Sequence, residues 1–259
     1  MSLPLSVIIT TFNEADHIER ALRSVAWADE WLVVDSFSTD DTVARAKALG
    51  AKVVQRTYTG PADQKNWAIP QASHNWILLL DADEEVSPNL AREIQDLLAL
   101  PAGPPQEAYW IPRRNYFMGQ QVRFSGWQGD KVVRFFERDR ARYNTQQVHE
   151  EIITDGLRVG KLKHFLEHYT FRSLDHFLDK TRRYARWSAQ DHAARTPKVT
   201  YYHLVLKPLF RFCKHFILQQ GFRDGKVGFV ISVVMAWGVC LRYLYLKESY
   251  HSKVQASES

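Results

Sequence analysis

Asp81-Ala82-Asp83 sets two carboxylates one residue apart, directly after the apolar run Trp76 to Leu80. Hard divalent cations such as Mg2+ and Mn2+ take oxygen ligands and often keep substrate phosphate oxygens in their shell. Two acids at a strand end can hold such a cation against a diphosphate, where it neutralises charge developing on a leaving group. The same acids also suit a polar turn ahead of the cap-plus-proline pair Ser87-Pro88, with Glu84 and Glu85 as solvated extensions. Asp35, in Val33-Val34-Asp35-Ser36, is either a turn residue or an acceptor for a base or ribose hydroxyl. Lys65, in Asp63-Gln64-Lys65-Asn66, is either a surface helix lysine or a counter-charge to a diphosphate.

The elements that carry these residues alternate in type. Ser6 to Thr10, Trp31 to Val34, Lys52 to Gln55 and Trp76 to Leu80 read as strands, the last wholly apolar and therefore central. Helical spacing fills the gaps: Asp16 to Trp27, a segment ending at Leu49 before Gly50, Pro61 to Ala72 shortened by Pro70, and Ser87 to Leu98. This order predicts an α/β fold, a Rossmann-like, mostly parallel sheet with right-handed crossovers. Ligands bind such sheets at the carboxyl ends of the strands, where Thr10 to Glu14, Asp35-Ser36 and Asp81 to Asp83 fall. Beyond Pro101 to Pro105 the pattern is mixed, with strands at Tyr109 to Ile111 and Lys131 to Glu137. From Ser173 onward it is helical, over Asp175 to Ala193, Tyr201 to Gln219 and Val227 to Leu246. The expected boundaries are a catalytic domain over 1–168, with halves 1–100 and 101–168, and a basic helical region over 169–251.

Composition narrows the classes. The chain of 259 residues is 45% hydrophobic, which excludes general disorder, and its two cysteines exclude a disulfide framework. The ten histidines show no HExxH spacing, and neither GxGxxG nor GxxxxGK[ST] occurs, so zinc, dinucleotide and P-loop sites are not expected. The N-terminus lacks a basic segment and reads as a first strand, which predicts a cytoplasmic protein. Residues 1–100 hold 8 Lys/Arg against 15 Asp/Glu, whereas residues 161–226 hold 14 against 5, so the basic half should meet an anionic partner.

Four segments in order, Val7 to Glu14, Val33 to Thr42, Gln64-Lys65-Asn66 and Leu79 to Glu84, resemble the family 2 glycosyltransferases of the GT-A fold. The resemblance covers roughly residues 3–165. It implies that Thr11, Asn13 and Glu14 line a donor nucleotide pocket with Asp35 at the base or ribose. Lys65 would stand near the diphosphate, and Asp81 and Asp83 would form the DxD-type metal motif for Mg2+ or Mn2+. Many relatives carry a second acid where this chain has Ser36. These enzymes invert the anomeric centre, so a carboxylate must take the acceptor proton; Glu150, in Val148-His149-Glu150-Glu151, is the first candidate and Asp130 the second. The Val-His-Glu triplet resembles the subgroup of lipopolysaccharide core β-1,4-glucosyltransferases. By that resemblance the donor is a UDP-sugar, UDP-glucose, and the acceptor a lipid-linked glycan such as the lipopolysaccharide inner core.

A nucleotidyltransferase shares the sheet and the paired acids, but Thr10 to Glu14 has no glycine for a phosphate loop. In the basic half, Lys207 to Leu218 interleaves cations with aromatic and aliphatic residues, ingredients shared with nucleic-acid binders. No nucleic-acid module accompanies them, and no nucleic acid is expected. Val227 to Leu241 is uncharged over 15 residues, about 22 Å as a helix, short of the ~30 Å hydrocarbon core. The expectation is a peripheral protein on the inner face of a bacterial inner membrane, touching anionic lipid through this region. A buried helix or a homodimer contact is the alternative use of the segment.

Overall fold

Consecutive valine, isoleucine and leucine residues build the centre of the sheet. In the computed structural model, which describes residues 2–144, 151–171 and 173–258, Leu5–Thr11 forms β1, with Val7, Ile8 and Ile9 fully buried. Glu30–Asp35 (β2), Lys52–Gln55 (β3) and Trp76–Asp81 (β4) join it in parallel, in the order β3-β2-β1-β4. The pleat sends Val7, Ile9, Val33, Leu78 and Leu80 into one core layer and Ile8, Leu32, Val34, Ile77 and Leu79 into the other. Both faces are covered, as the unbroken apolar runs require.

The crossover helices are Ile18–Ser24 (α1), Thr42–Ala48 (α2), Pro61–Ala68 (α3) and, after β4, Pro88–Leu98 (α4). α1 is shorter than the expected Asp16 to Trp27. α3 stops before Pro70, which sits in a single 3-10 turn, Ile69–Gln71. Ser87 caps α4 by accepting Leu90 N–H at 3.3 Å, with Pro88 at the first helical position.

The rest of the sheet is mainly antiparallel, with Val159–Lys161 parallel to Ala108–Phe117. Glu84–Val86 (β5), Ala108–Phe117 (β6), Gln120–Val122 (β7), Lys131–Glu137 (β8), Val159–Lys161 (β9) and Leu166–Phe171 (β10) complete it. β8 lies antiparallel to β4, placing Phe135 opposite Leu78, and the strand path runs β3-β2-β1-β4-β8-β6-β10-β5. β6 extends well beyond the expected Tyr109 to Ile111. β5, β7 and β9 are three-residue strands, too short to show a period in sequence.

Two compact units divide the chain: Met1–Arg114 with Gly129–His168, and Asn115–Gln128 with Tyr169–Ser259. The expected boundary at residue 168 therefore changes in one respect, because Asn115–Gln128 groups with the C-terminal unit. Asp224 explains this: its carboxylate accepts the backbone N–H of Arg123 at 3.0 Å and of Phe124 at 2.9 Å, and Ser125 Oγ at 2.8 Å. The helices of the second unit are Leu174–His192 (α5), Lys207–Cys213 (α6) and Gly225–Glu258 (α7). α6 is flanked by π-helical turns at Tyr202–Leu206 and Lys214–Leu218. α7 runs on past the expected Leu246, since no proline or glycine follows Gly238 to stop it.

Candidate active site

Register places the candidate residues on one edge of the first unit. Thr11 is opposite Asp35 across β1 and β2, and Thr10 is opposite Asp81 across β1 and β4. All are at the carboxyl ends of parallel strands, the ligand-binding edge of an open α/β sheet. Thr11 is buried, and its Oγ1 is without a hydrogen-bond partner. A buried hydroxyl left so is costly unless a ligand supplies its partner.

The loops after β1 and β2 are tied together. Asn13 adopts a left-handed backbone (φ 54°), which asparagine tolerates. Its Oδ1 accepts Thr39 N–H at 2.8 Å, and its own N–H donates to Ser38 Oγ at 2.8 Å. Glu14 N–H donates to Thr42 Oγ1 at 2.8 Å, and its carboxylate meets His17 Nδ1 at 2.8 Å. Asp35 is fully buried and accepts Ser38 N–H at 3.0 Å, Gln55 Nε2–H at 2.9 Å and the Ser38 hydroxyl. Thr11, Asn13, Glu14 and Asp35 thus meet at one pair of loops, where three of the four already have protein partners. The exposed ring of Phe37 rides on the same loop at φ 62°, a strained conformation for a bulky residue.

Asp81 stands in a network of charges. Lys65 Nζ lies 3.1 Å from its Oδ1, Arg134 pairs with Oδ2, and Thr10 Oγ1 donates at 3.0 Å. Burial pushes the Asp81 carboxyl up, but Arg134 and Lys65 outweigh it and hold the group well below the usual carboxylate range. Burial likewise opposes charge on Arg134, yet Asp81 and Glu84 keep its guanidinium firmly protonated. Glu84, 1% exposed, accepts Asp81 N–H at 3.0 Å and lies 3.2 Å from Arg113 Nη1 and 3.3 Å from Arg134 Nε. Arg113 in turn grips Asp130 with two bonds of 3.0 Å each, to Oδ2 and Oδ1. Lys65 itself is 3% exposed and lies over the Tyr143 ring at 5.3 Å. Its neighbour Asn66 exchanges two hydrogen bonds with the Tyr143 backbone, at 2.8 and 2.9 Å, and Gln64 bonds Ser36 Oγ and the Val34 carbonyl.

Asp83 differs from Asp81. It is 23% exposed, and His168 Nε2 on β10 lies 3.6 Å from its Oδ2. Among the described residues no group of three or more His, Cys, Asp or Glu side chains is arranged to hold a metal ion. With one carboxylate and one imidazole, Asp83 and His168 would suit Mn2+ better than the harder Mg2+, with phosphate and water completing the shell. Asp81, with Lys65 and Arg134 on its oxygens, fits less well as a direct ligand. Glu150 lies outside the described residues. Asp130 is held as the partner of Arg113.

Glu84, expected as a solvated extension of the acidic pair, is instead buried against Arg113 and Arg134, and the sequence analysis singles out none of His168, Arg113 and Arg134. Arg134 had a signal: a lone cation within Val132-Val133-Arg134-Phe135-Phe136, a strand that otherwise enters the core. A buried arginine needs carboxylate partners. His168 had none, because its proximity to Asp83 comes from the antiparallel pairing of His168 with Glu84.

Comparison with known proteins fits this geometry. Residues 6–158 match the family described as glycosyl transferase family 2. An uncharacterised glycosyltransferase of Rickettsia felis is 34% identical over 254 residues, covering 95% of this chain and 90% of its own. The lipopolysaccharide core biosynthesis glycosyltransferase LpsC of Rhizobium meliloti is 27% identical over 238 residues, covering 88% and 86%. Among solved structures, residues 1–349 of S. aureus TarS, in complex with UDP-GlcNAc, share the fold with a TM-score of 0.50 at 16% identity, covering 97% and 92%. With the acids at the strand ends and both sequence relatives spanning nearly the whole chain, this protein belongs to glycosyl transferase family 2 and resembles its lipopolysaccharide core members.

Proposed function

We propose that the chain is an inverting, metal-dependent hexosyltransferase that moves glucose from UDP-glucose to a lipid-linked glycan such as the lipopolysaccharide inner core. The observation that carries the reading is the charge arrangement at the end of β4, with Lys65 and Arg134 on Asp81 and the half-open Asp83 beside His168. The similarity to LpsC, named for lipopolysaccharide core biosynthesis, supports the acceptor class. The site of action is the cytoplasmic face of a bacterial inner membrane, where such an acceptor meets a soluble nucleotide sugar.

In this reading the acceptor hydroxyl oxygen attacks the anomeric carbon as the bond from that carbon to the β-phosphate oxygen breaks. The electron pair leaves with UDP, and the hydroxyl proton passes to a carboxylate. Asp83 and His168 would hold a divalent cation, which supplies charge neutralisation on the departing diphosphate when bound. Lys65 adds a fixed, desolvated positive charge on the same edge. Arg134 keeps Asp81 ionised and in place. Thr11 Oγ1 offers its unused hydrogen-bonding capacity to the donor. Glu150 serves as the base, and Asp130, committed to Arg113, positions that arginine.

The test is a donor screen with purified chain, several nucleotide sugars and Mn2+ or Mg2+, followed by transfer to a core glycolipid and assignment of the anomeric configuration. UDP release with UDP-glucose and a β-linked product are expected. Release of pyrophosphate, or retention of configuration, would overturn the reading. Glu150→Gln should lower transfer by about 10²- to 10⁴-fold, the range of a general base, while donor binding persists.

A further inference from the structure

Tyr201-Tyr202, Val205-Leu206, Leu209-Phe210 and Ile217-Leu218 are large apolar pairs, all exposed, Phe210 to 64% and Leu218 to 69%. They recur every four residues or a multiple of four. A regular α-helix turns about 40° too far for such a repeat, so the pairs would wind around its surface. The π-helical turns before and after α6 are wider and turn less per residue, which counters that drift. Phe229, Val233 and Trp237 add an exposed apolar stripe on α7 at the same four-residue spacing. Phe229 packs within 5.9 Å of Phe212 and 5.8 Å of Phe216, so the two stripes adjoin. Soluble monomers rarely leave so much contiguous apolar surface uncovered.

Along the first stripe the charges are of one sign, whereas Trp237 of the second lies beside Asp175, Asp179 and Arg182. Between Asp191 and Asp224 the chain carries Arg195, Lys198, Lys207, Arg211, Lys214 and Arg223, and no acid. Arg223 and Arg123, both exposed, border an open pocket of about 430 Å3 immediately beyond Phe222, another exposed ring. Apolar side chains rimmed by arginine and lysine match the boundary between acyl chains and anionic headgroups, where burial and charge attraction add.

The inner face of α7 decides how the unit meets a bilayer. Gly221–Tyr250 is long and apolar enough to cross a membrane by length and composition. However, Ile231, Val234, Val239 and Tyr243 are buried against α5 and its surroundings, through Phe177 and Ala189. A Cβ on Gly238 would come within 2.7 Å of Thr181 of α5, so the helices are in close contact. α5 exposes Asp175, Asp179, Arg182, Arg183 and Arg186, which α7 would have to take into hydrocarbon if it crossed. A helix lying in the plane avoids that cost.

We infer that Tyr201 to Phe222 and the outer stripe of α7 form an in-plane docking surface for a bilayer rich in anionic phospholipid. The inference deepens the proposed function, resting on it only for the lipid-linked nature of the acceptor. The full chain is floated with vesicles of phosphatidylcholine, with or without phosphatidylglycerol, at rising salt, and membranes from expressing cells are washed with alkaline carbonate. Flotation only with phosphatidylglycerol, weakening with salt, and release by carbonate are expected. Leu209→Ser/Phe210→Ser should reduce flotation at least tenfold and Lys214→Glu or Arg223→Glu roughly fivefold each, with circular dichroism and UDP-glucose hydrolysis unchanged. Equal binding to neutral vesicles, undiminished flotation of Leu209→Ser/Phe210→Ser, or retention through carbonate would overturn it. So would a dimer that this double variant dissociates, which would make a second copy of the chain the occupant. Hydrolysis is read without vesicles, so flotation without hydrolysis counts against the transferase alone, and hydrolysis without flotation against the docking surface alone.

Discussion

Lys65 Nζ lies 3.1 Å from Asp81 Oδ1, and Arg134 occupies the other carboxylate oxygen. Asp81 therefore carries more positive than negative charge in its immediate surroundings. The two acids of Asp81-Ala82-Asp83 are not equivalent in this protein. One anchors cations to the end of the central strand, and the other faces outward beside a histidine.

Removing Arg134 should show the structural half of that division. Arg134→Met strips one of two cationic partners from Asp81 and one of two guanidinium partners from the buried Glu84. Breaking a buried ion pair from one side costs about 3–5 kcal/mol, because the remaining charge stays desolvated. Guanidinium unfolding should show a loss of that order. Arg134→Lys should recover part of it, since the charge returns but the bond from Nη1 to Tyr143 Oη does not. A loss below about 1 kcal/mol would mean water reaches the network.

Thr11 separates binding from folding. Its Oγ1 is buried and unpartnered, so Thr11→Val should leave the melting temperature unchanged or slightly higher. If the hydroxyl serves the donor, UDP affinity by calorimetry should fall about five- to tenfold, the worth of one neutral hydrogen bond. Unchanged affinity would remove Thr11 from the donor site.

Much of this was legible in residue order alone. Unbroken apolar runs gave the four parallel strands, and Ser87-Pro88 gave the start of α4, because local sterics and capping act within a few residues. The edge on which Thr11, Asp35 and Asp81 meet followed from parallel topology. What stayed hidden depends on contacts distant in sequence. The network of Glu84, Arg113, Asp130 and Arg134 requires β6 and β8 to turn antiparallel beside β4, and no local pattern announces that. Asn115–Gln128 falls inside the expected first domain, and only the buried Asp224, about a hundred residues later, shows where it is fastened.

Glu30 predicts the acid limb of stability. Its carboxylate accepts Ser73 N–H and Ser73 Oγ, each at 2.7 Å, and the Ser6 hydroxyl, joining β1 and β2 to the loop before β4. Burial raises its pKa, but the bonds from Ser6 and Ser73 and the charge of Lys52 lower it further, to below the ordinary value. A depressed folded-state pKa contributes stability above the unfolded value of about 4.3, and that contribution is lost as pH falls through the folded value. Glu30→Gln should therefore cost about 0.5 kcal/mol or less at pH 7, because solvent screens this half-open site, and progressively less below about pH 4. Urea titrations across that range give the difference. A cost that grows on acidification would contradict the assigned sign.

Asp83 tests the outward half of the pair. Asp83→Asn keeps the size of the side chain and removes the charge a hard cation needs. Mn2+ with UDP should raise the melting temperature of the parent chain, since a ligand that binds only the folded state stabilises it, and should raise that of the variant much less. Turnover should fall at least about 100-fold, equivalent to roughly 2.7 kcal/mol of lost transition-state stabilisation. His168→Ala should weaken the Mn2+ response in the same direction, because its Nε2 lies 3.6 Å from Asp83 Oδ2. Asp81→Asn should instead lower stability without a cation, by leaving Lys65 and Arg134 short of a counter-charge. If Asp81→Asn abolished the Mn2+ response while Asp83→Asn kept it, the roles of the two acids would be reversed.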